Sequence, residues 1–279
     1  MPLDEARIPV LDRGFIFGDG VYEVIPCYSR KPFRLKEHLR RLQSNLDNIF
    51  LKNPYPDVQW AGLFAQLVTQ NEGEDQHIYL HITRGAAKRD HAFPKQAQPT
   101  VFMMSMPLQA TSPEILRTGV VAISAQDNRW LRCDIKAISL LPNVLLRQLA
   151  VDRGAAETVL LRDGFLTEGA ASNIFVVKNG VLLAPPKSNL ILPGITYDVV
   201  LELARAHAIP HEVRAVSETE VRTAQELWMT SSGKEVLAIT TLDKRPVGDG
   251  KPGKLFWRMY DLYQAYKAAV IRQSEAQPI

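Results

Sequence analysis

Two hydrophobic periods divide the chain into elements. Leu35, Leu39, Leu42, Leu46 and Ile49 recur at spacings of four and three, which is the period of a helix with one apolar face. The spacing predicts a helix over 35–50, and His38, Arg41 and Asn45 form an adjacent polar line on it. In "HIYLHITRG" the period falls to two, with Ile78, Leu80 and Ile82 on one face, which predicts a strand. "FIFGDGVYEVIPCY", residues 15–28, is rich in β-branched and aromatic types and is interrupted by Gly18 and Gly20. It reads as a turn followed by a strand from Val21. "SRKPF" is a further turn, Pro54 and Pro56 punctuate the chain, a second helix is expected from Val58 to Gln70, and "TVFMMSMP" is another strand. These elements form a smaller N-terminal α+β domain, residues 1–111.

"QATSPEILRTG" is polar and holds a proline and a glycine, so it is the candidate linker. Beyond it "VVAIS" opens a larger C-terminal domain, residues 112–279, and a helix is expected over 143–153. "AETVLLRDGFLTEG" reads as strand, Asp-Gly turn and strand, and "NIFVVKNGVLLAPP" repeats the device with Asn-Gly. Helices are expected over 196–207 and 218–226, a strand in "ELWMTSS", and an amphipathic helix over 254–270. Hairpins beside helices, without regular βαβ spacing, argue for an α+β fold and against a doubly wound sheet.

Bulk composition narrows the partners. A length of 279 residues suits two domains, and a hydrophobic fraction of 46% is ordinary for a globular protein. The 33 basic and 30 acidic residues leave a net charge of +3. The basic residues are scattered, the densest cluster being Arg40 with Arg41, so no nucleic-acid partner is expected. An anionic small molecule is compatible. Cys27 and Cys133 belong to no CxxC pair, which excludes a disulfide framework and a zinc ribbon. The N-terminus carries early acidic residues and no apolar core, unlike a signal peptide. No apolar run reaches the roughly eighteen residues of a membrane span. A reducing, cytoplasmic setting is the expectation, with no membrane partner.

Candidate chemistry starts with Lys136 in "LRCDIKAISLLPNVLL", residues 131–146. A solvated lysine needs no apolar neighbours, whereas a buried one tends toward the neutral, nucleophilic amine; the segment alone admits both. In "ILPGITYDVV" an apolar run stops at Pro193-Gly194 and a helix begins. Ile195 and Thr196 would offer free N–H groups to an anion, or Thr196 simply caps the helix. "TSSG", residues 230–233, suits a phosphate or any turn. Glu168 follows a strand and precedes small residues, where it could hold a protonated ring nitrogen or face solvent. "TRGAAKRDHAFP" could clamp a substrate carboxylate through Arg89, whose guanidinium forks to both oxygens, or be an exposed basic loop. Neither a Walker A nor a Rossmann fingerprint is present, nor HExxH or G-x-S-x-G, so ATP, NAD and a metal are not expected.

"DRGFIFGDGVYEV", "RGAAKRDHAF", "RWLRCDIKAISLLPNVLL", "TEGAASNIF", "ILPGITYDVV" and "MTSSGKE" occur in this order between residues 12 and 235. Together they resemble the fold-type IV pyridoxal-phosphate enzymes, the class IV aminotransferases, and within them the bacterial D-amino-acid aminotransferases. The resemblance implies a two-domain α+β fold with pyridoxal 5'-phosphate between the domains. It makes Lys136 the Schiff-base lysine, Glu168 the partner of the pyridine nitrogen, and Arg41, Ile195, Thr196 and Ser232 the phosphate's surroundings. Leu192 would pack beside the cofactor ring, and Tyr22, Arg89 and His91 would receive the substrate α-carboxylate. After Glu168-Gly169 the chain has Ala170 and Ala171 where relatives often carry hydroxyls, and Gly233 stands where threonine is common.

The implied reaction is a two-stage transamination between a D-amino acid such as D-alanine and a 2-oxo acid such as 2-oxoglutarate, carried out by a homodimer. Within the family the alternatives are a branched-chain L-amino acid or (R)-amine transaminase and an aminodeoxychorismate lyase. The alternative from another class is a carboxylate-binding module without catalysis.

Overall fold

The computed structural model describes residues 1–96 and 98–273. The described chain divides into two compact units, one of Met1–Gln109 with Ile135–Leu140, the other of Ala110–Asp134 with the described residues from Leu141 to Gln273.

In the first unit a short helix, α1 (Arg13–Phe17), precedes β1 (Gly20–Tyr28) and β2 (Lys31–Pro32); helices α2 (Leu35–Asn48) and α3 (Asp57–Thr69) follow, then β3 (Gln76–Thr83) and β4 (Thr100–Pro107). The strands form an antiparallel sheet in the order β2-β1-β3-β4. Strand alternation sends Val21, Ile25, Ile78, Leu80 and Ile82 to one face, where they meet Leu39, Leu42 and Leu46 of α2 and Trp60, Phe64 and Val68 of α3. The leucine spacing of α2 is therefore its core stripe. Glu23 pairs with Leu80 in the register between Val21↔Ile82 and Ile25↔Ile78, so a carboxylate enters this apolar layer, wholly buried.

Lys136 was expected with the C-terminal domain, but its segment packs with the first unit. Tyr22 N donates to Lys136 O at 3.0 Å, Ile138 N donates to Gly20 O at 3.1 Å, and Val21 bridges Ala137. Ile135 and Ala137 join the core around Val21. The segment behaves as a short extra strand along β1, too brief to show a period.

The second unit contains α4 (Pro113–Thr118), β5 (Val120–Gln126), α5 (Leu141–Val151), β6 (Glu157–Arg162), β7 (Phe165–Gly169), β8 (Asn173–Lys178) and β9 (Val181–Ala184). It continues through α6 (Ile195–Ala206), β10 (His211–Val213), α7 (Glu218–Arg222), β11 (Glu226–Ser231), β12 (Glu235–Leu242), β13 (Arg245–Pro246) and α8 (Lys254–Gln273). Among the described residues these strands make a nine-stranded mixed sheet in the order β10-β9-β8-β11-β12-β5-β6-β7, with β13 on β12.

Both faces of β8 and β11 are covered. Ile174, Val176, Leu227 and Met229 pack with Val159, Leu237, Ile239, Val216 and Val221. Phe175 and Trp228 point the other way, stacking on Tyr197 of α6 at 5.1 Å and meeting Phe256 of α8 at 6.3 Å. Burial on two faces explains why these strands read as nearly unbroken apolar runs. The Asp163-Gly164 and Asn179-Gly180 turns both have positive φ at their two residues, as a tight hairpin requires.

The polar stretch read as a linker is partly helical. Ser112 Oγ accepts from Ile115 N at 3.3 Å, Pro113 opens α4, and Gly119 closes it at φ +69°. Helix α7 stops at Arg222, short of the expected 226, and β12 is an element beyond those expected. No described helix is long and apolar enough to cross a membrane, and no cluster of metal-ligating side chains occurs among the described residues.

Candidate active site

Lys136 is half-buried and held by its backbone: its N–H donates to Asn45 Oδ1 at 3.3 Å while its carbonyl accepts from Tyr22. Its Nζ lies 4.1 Å from the centroid of the Tyr22 ring and makes no ion pair among the described residues. Tyr22 projects from the sheet face opposite Glu23, beside Tyr79 at 5.8 Å, and the Tyr79 hydroxyl is 2.9 Å from His81 Nδ1. The amine thus stands over an aromatic face with no carboxylate paired to it among the described residues.

The polar line of α2 converges on Glu23. Arg41 donates from Nε to Glu23 Oε1 at 2.8 Å and from Nη2 to Oε2 at 2.7 Å, and His38 Nδ1 lies 2.9 Å from Oε2. Burial alone would raise the Glu23 carboxyl; the Arg41 guanidinium and then His38 hold it at about 2. Burial in turn pushes the His38 imidazole below its ordinary value, against the pull of Glu23. Arg41 is thus fixed by a fork to β1's inward row. Glu23 and His38 were missed as site residues, although strand alternation already put Glu23 on the inner face with Val21 and Ile25.

Arg89 and His91 are exposed and share Phe17. The Arg89 guanidinium lies 5.4 Å from that ring's centroid and the His91 ring 5.2 Å from it. Their segment is fastened from beneath by buried Arg13, which donates to Asp90 O at 2.6 Å and to Ala92 O at 3.3 Å. Arg13 and Arg84 both bind Asp19, at 2.7 and 2.8 Å. Against the effect of burial, Arg84 and then Arg13 hold the Asp19 carboxyl below its usual value.

In the second unit Glu168 is buried at the end of β7. Arg129 Nη1 donates to its Oε1 at 2.5 Å, while Asn173 Nδ2 and Leu192 N donate to Oε2 at 3.1 and 3.0 Å. The rest of the Arg129 fork is committed to Asp127, with Nε to Oδ1 and Nη2 to Oδ2, both 2.9 Å. Asp127 also accepts from the Thr167 hydroxyl at 2.9 Å and pairs with Arg162 at 3.0 Å. Burial pushes the Glu168 carboxyl up to about 7, outweighing Arg129 and the Leu192 N–H, with Asp127 adding to the rise. Arg129 and Asp127 also escaped sequence reading, because the link from Arg129 to Glu168 spans 39 positions.

Ile195 and Thr196 are buried at the start of α6, and Gly194 caps that helix without a side-chain hydrogen bond. Its first N–H groups are therefore available to an anion. A Cβ at Gly194 would force Asn173 Oδ1 to shift. Asn173 Nδ2 also donates to Leu192 O at 3.0 Å, so one side chain ties Leu192 and Glu168 together. Ser232 is half-buried just past β11, and nearby Thr230 Oγ1 is buried without a hydrogen-bond partner among the described residues.

The predicted residues thus gather into two sets: Tyr22, Arg41, Arg89, His91 and Lys136 in the first unit, and Glu168, Leu192, Ile195, Thr196 and Ser232 in the second. The first unit presents an aromatic-backed lysine, and the second a buried carboxylate and a helix start without a side-chain cap. The family described as amino-transferase class IV matches residues 20–242, and the chain belongs to it. It is similar to the D-alanine aminotransferase of Bacillus licheniformis, 39% identical over 91% of this chain and 90% of that protein. A D-alanine aminotransferase of Staphylococcus epidermidis is 36% identical over 94% and 93%. Among solved structures, the branched-chain amino acid aminotransferase of Escherichia coli superposes with a TM-score of 0.86 at 26% identity, covering 93% of this chain and 89% of that one. A second branched-chain amino acid aminotransferase, solved with pyridoxamine 5'-phosphate, gives 0.87 at 26% identity, over 95% and 90%.

Proposed function

We propose that the chain is a pyridoxal 5'-phosphate-dependent aminotransferase that moves the amino group of a D-amino acid, D-alanine among them, to a 2-oxo acid such as 2-oxoglutarate. The observation that carries the reading is Lys136, whose Nζ stands over the Tyr22 ring without an acidic partner among the described residues. The likeness to D-alanine aminotransferases over nine-tenths of the chain supports the D-amino-acid assignment.

The residues fit the cofactor. Glu168 accepts three hydrogen bonds, and a carboxylate has about four lone-pair sites, so one is left for a ring N–H. The uncapped start of α6 suits a phosphate, with Arg41 and Ser232 as its further partners and Leu192 beside the ring. The orphaned Thr230 hydroxyl is a polar group in want of a partner. When bound, pyridoxal phosphate supplies the aldehyde that captures the amino group and the ring that accepts the electrons released at Cα. The Lys136 amine takes the α-proton and later returns it. Glu168, as an anion, keeps a proton on the ring nitrogen. Arg89 and His91, with Tyr22, anchor the α-carboxylate, so that the α-hydrogen of a D-substrate faces Lys136 and an L-isomer presents its side chain there.

The test is a substrate panel with the purified protein: D-alanine, D-glutamate, L-leucine and (R)-1-phenylethylamine, each with 2-oxoglutarate or pyruvate. Rapid turnover of the D-acids with almost none of L-leucine is expected. Preference for L-leucine or the amine would overturn the D-assignment. Borohydride treatment is expected to fix the cofactor on Lys136, and a peptide map placing it elsewhere would remove that residue from its role.

The working form is a homodimer. Support comes from α5, whose Leu141, Val144 and Leu145 are exposed at spacings of three and one, an apolar helix face of the kind that partners cover. Sedimentation equilibrium is expected to return twice the chain mass.

A further inference from the structure

Glu168 is surrounded by more charge than one ion pair needs. Two carboxylates, Asp127 and Glu168, and two guanidiniums, Arg129 and Arg162, lie together with side chains almost fully covered. Arg129 stands between the acids and divides its fork unequally, two donors to Asp127 and one to Glu168. Oε2 of Glu168 already takes two N–H groups, from Asn173 and Leu192, while Oε1 takes only Arg129 Nη1. With about two lone pairs per oxygen, the remaining acceptor position lies on Oε1, the oxygen that Arg129 holds.

We propose that Arg129 is a positioning residue that favours the ionised form of Glu168 against its burial and aims the open lone pair of its Oε1, and that Asp127 sets how strongly it does so. This rests on the reading of Glu168 as the partner of the cofactor's ring nitrogen. Arg129 is the only cation that donates to Glu168 among the described residues, so its charge opposes the burial that favours the neutral acid. Asp127 acts on Glu168 in two ways with one sign. It is a second negative charge nearby, and it draws off two of the Arg129 donors. Removing Arg129 must make Glu168 harder to ionise, and neutralising Asp127 must make it easier. Among the described residues Cys133 also faces this cluster; burial pushes its thiol up to about 11, so it stays neutral throughout. Arg162 reaches Asp127 but not Glu168, and Asn173 and Leu192 N carry no charge.

The opposed signs make the test. The pH dependence of pyridoxal phosphate affinity is measured on the apo-protein by fluorescence quenching. The carboxyl infrared band of the same apo-protein, assigned by subtracting Glu168→Gln, reads the protonation of Glu168 directly. In the parent the midpoint is expected near 7, as burial against Arg129 places it. In Arg129→Met it is expected to rise by about 1–3 pH units, the span that an adjacent opposite charge commands. In Asp127→Asn it is expected to fall. Arg129→Lys, which keeps the cation and loses the fork, is expected between the parent and Arg129→Met.

A purely structural role for the cluster would lower cofactor affinity in every variant without moving the midpoints apart. Midpoints that move the same way, or do not move, overturn the proposal. If Arg129→Met does not fold, Asp127→Asn decides alone: an unchanged or raised midpoint overturns it. Glu168→Gln separates this inference from the one beneath it. Parental cofactor affinity and turnover in Glu168→Gln would discard the ring-nitrogen reading, whereas a loss there with undivided midpoints discards only the role of Arg129.

Discussion

Glu23 and Glu168 are both buried glutamates that meet an arginine, yet one is held at about 2 and the other is pushed to about 7. Burial is the same force in both and favours the neutral acid. The difference lies in how the arginine is shared. Arg41 gives both arms of a fork to Glu23, with His38 adding a third contact. Arg129 gives its fork to Asp127 and a single N–H to Glu168. A carboxylate that receives the full fork of one guanidinium is held ionised and serves as an anchor. One that receives a single charged donor, beside a second acid, is left closer to neutrality. The first unit uses its glutamate to fix Arg41; the second leaves its glutamate sharing an arginine with Asp127.

The largest break comes from removing the reactive amine of the first unit. Lys136→Ala is expected to lower turnover by roughly 10²–10⁴-fold, the range for a removed acid–base group, and to lose the borohydride adduct. The core residues Ile135 and Ala137 are untouched, so the thermal midpoint of the apo-protein is expected to stay near the parent's. Turnover within a few fold of the parent would take chemistry away from this unit altogether.

Glu23→Gln tests the anchor itself. Arg41, largely covered, loses the Glu23 charge, a change that costs about 3–5 kcal/mol in buried pairs. The melting temperature should fall by roughly 10 °C for units of this size. The pH sign also follows. Because the folded carboxyl sits at about 2, below its ordinary 4.5, its contribution is present above about 4.5 and is lost as pH falls toward 2. Glu23→Gln should therefore flatten the acid limb of the stability curve between those values. An unchanged acid limb would show that the ion pair adds nothing to stability.

Glu168→Gln is expected to act on rate more than on folding. A charged hydrogen bond contributes about 1.5–3 kcal/mol, or roughly ten- to a hundred-fold in kcat if all of it is expressed in the transition state. For the apo-protein the pH sign is opposite to that of Glu23. A carboxyl raised to about 7 from 4.5 favours the folded state fully below about 4.5, and that contribution is lost as pH rises through 7. Glu168→Gln should remove this decline on the neutral side, measured as the apo-protein's melting temperature from about pH 4.5 to about pH 8.

The two clusters differ as much in legibility as in chemistry. The leucine spacing of α2 and the alternation of β3 are local and match the core that they build. The Asp-Gly and Asn-Gly turns announce their positive φ. Lys136 stood out because a charge in an apolar segment is a local anomaly. Glu23 is also such an anomaly, visible once β1 is written as alternating faces, but a single glutamate in a strand carries little signal. "DNRW" gives no sign that Asp127 and Arg129 are buried, since their partners Thr167 and Glu168 lie about forty positions on. Nor could periodicity assign Lys136 to the first unit, because the pairing that does so is one bridge and two hydrogen bonds long. Local patterns reveal elements and lone oddities; charge networks form only when distant elements meet.

The smallest effect concerns the exposed Arg89 and His91, where neither kind of buried anchoring operates. The main chain there is fastened by Arg13, while the two side chains meet the ring of Phe17, at 5.4 and 5.2 Å. A cation–π contact at an exposed site contributes about 0.5–1 kcal/mol. Phe17→Leu keeps an apolar body of similar reach and removes the aromatic face. If Arg89 and His91 receive the α-carboxylate, loosening them should raise KM for D-alanine by roughly two- to five-fold, the conversion of that energy. The kcat should change little, because the contact is made to the carboxylate before and after the proton moves, so ground and transition states lose it equally. Arg89→Lys, which removes the fork, should raise KM further. A Phe17→Leu enzyme that loses kcat at unchanged KM would instead tie this ring to the reacting centre, and would move the carboxylate anchor away from residues 89–91.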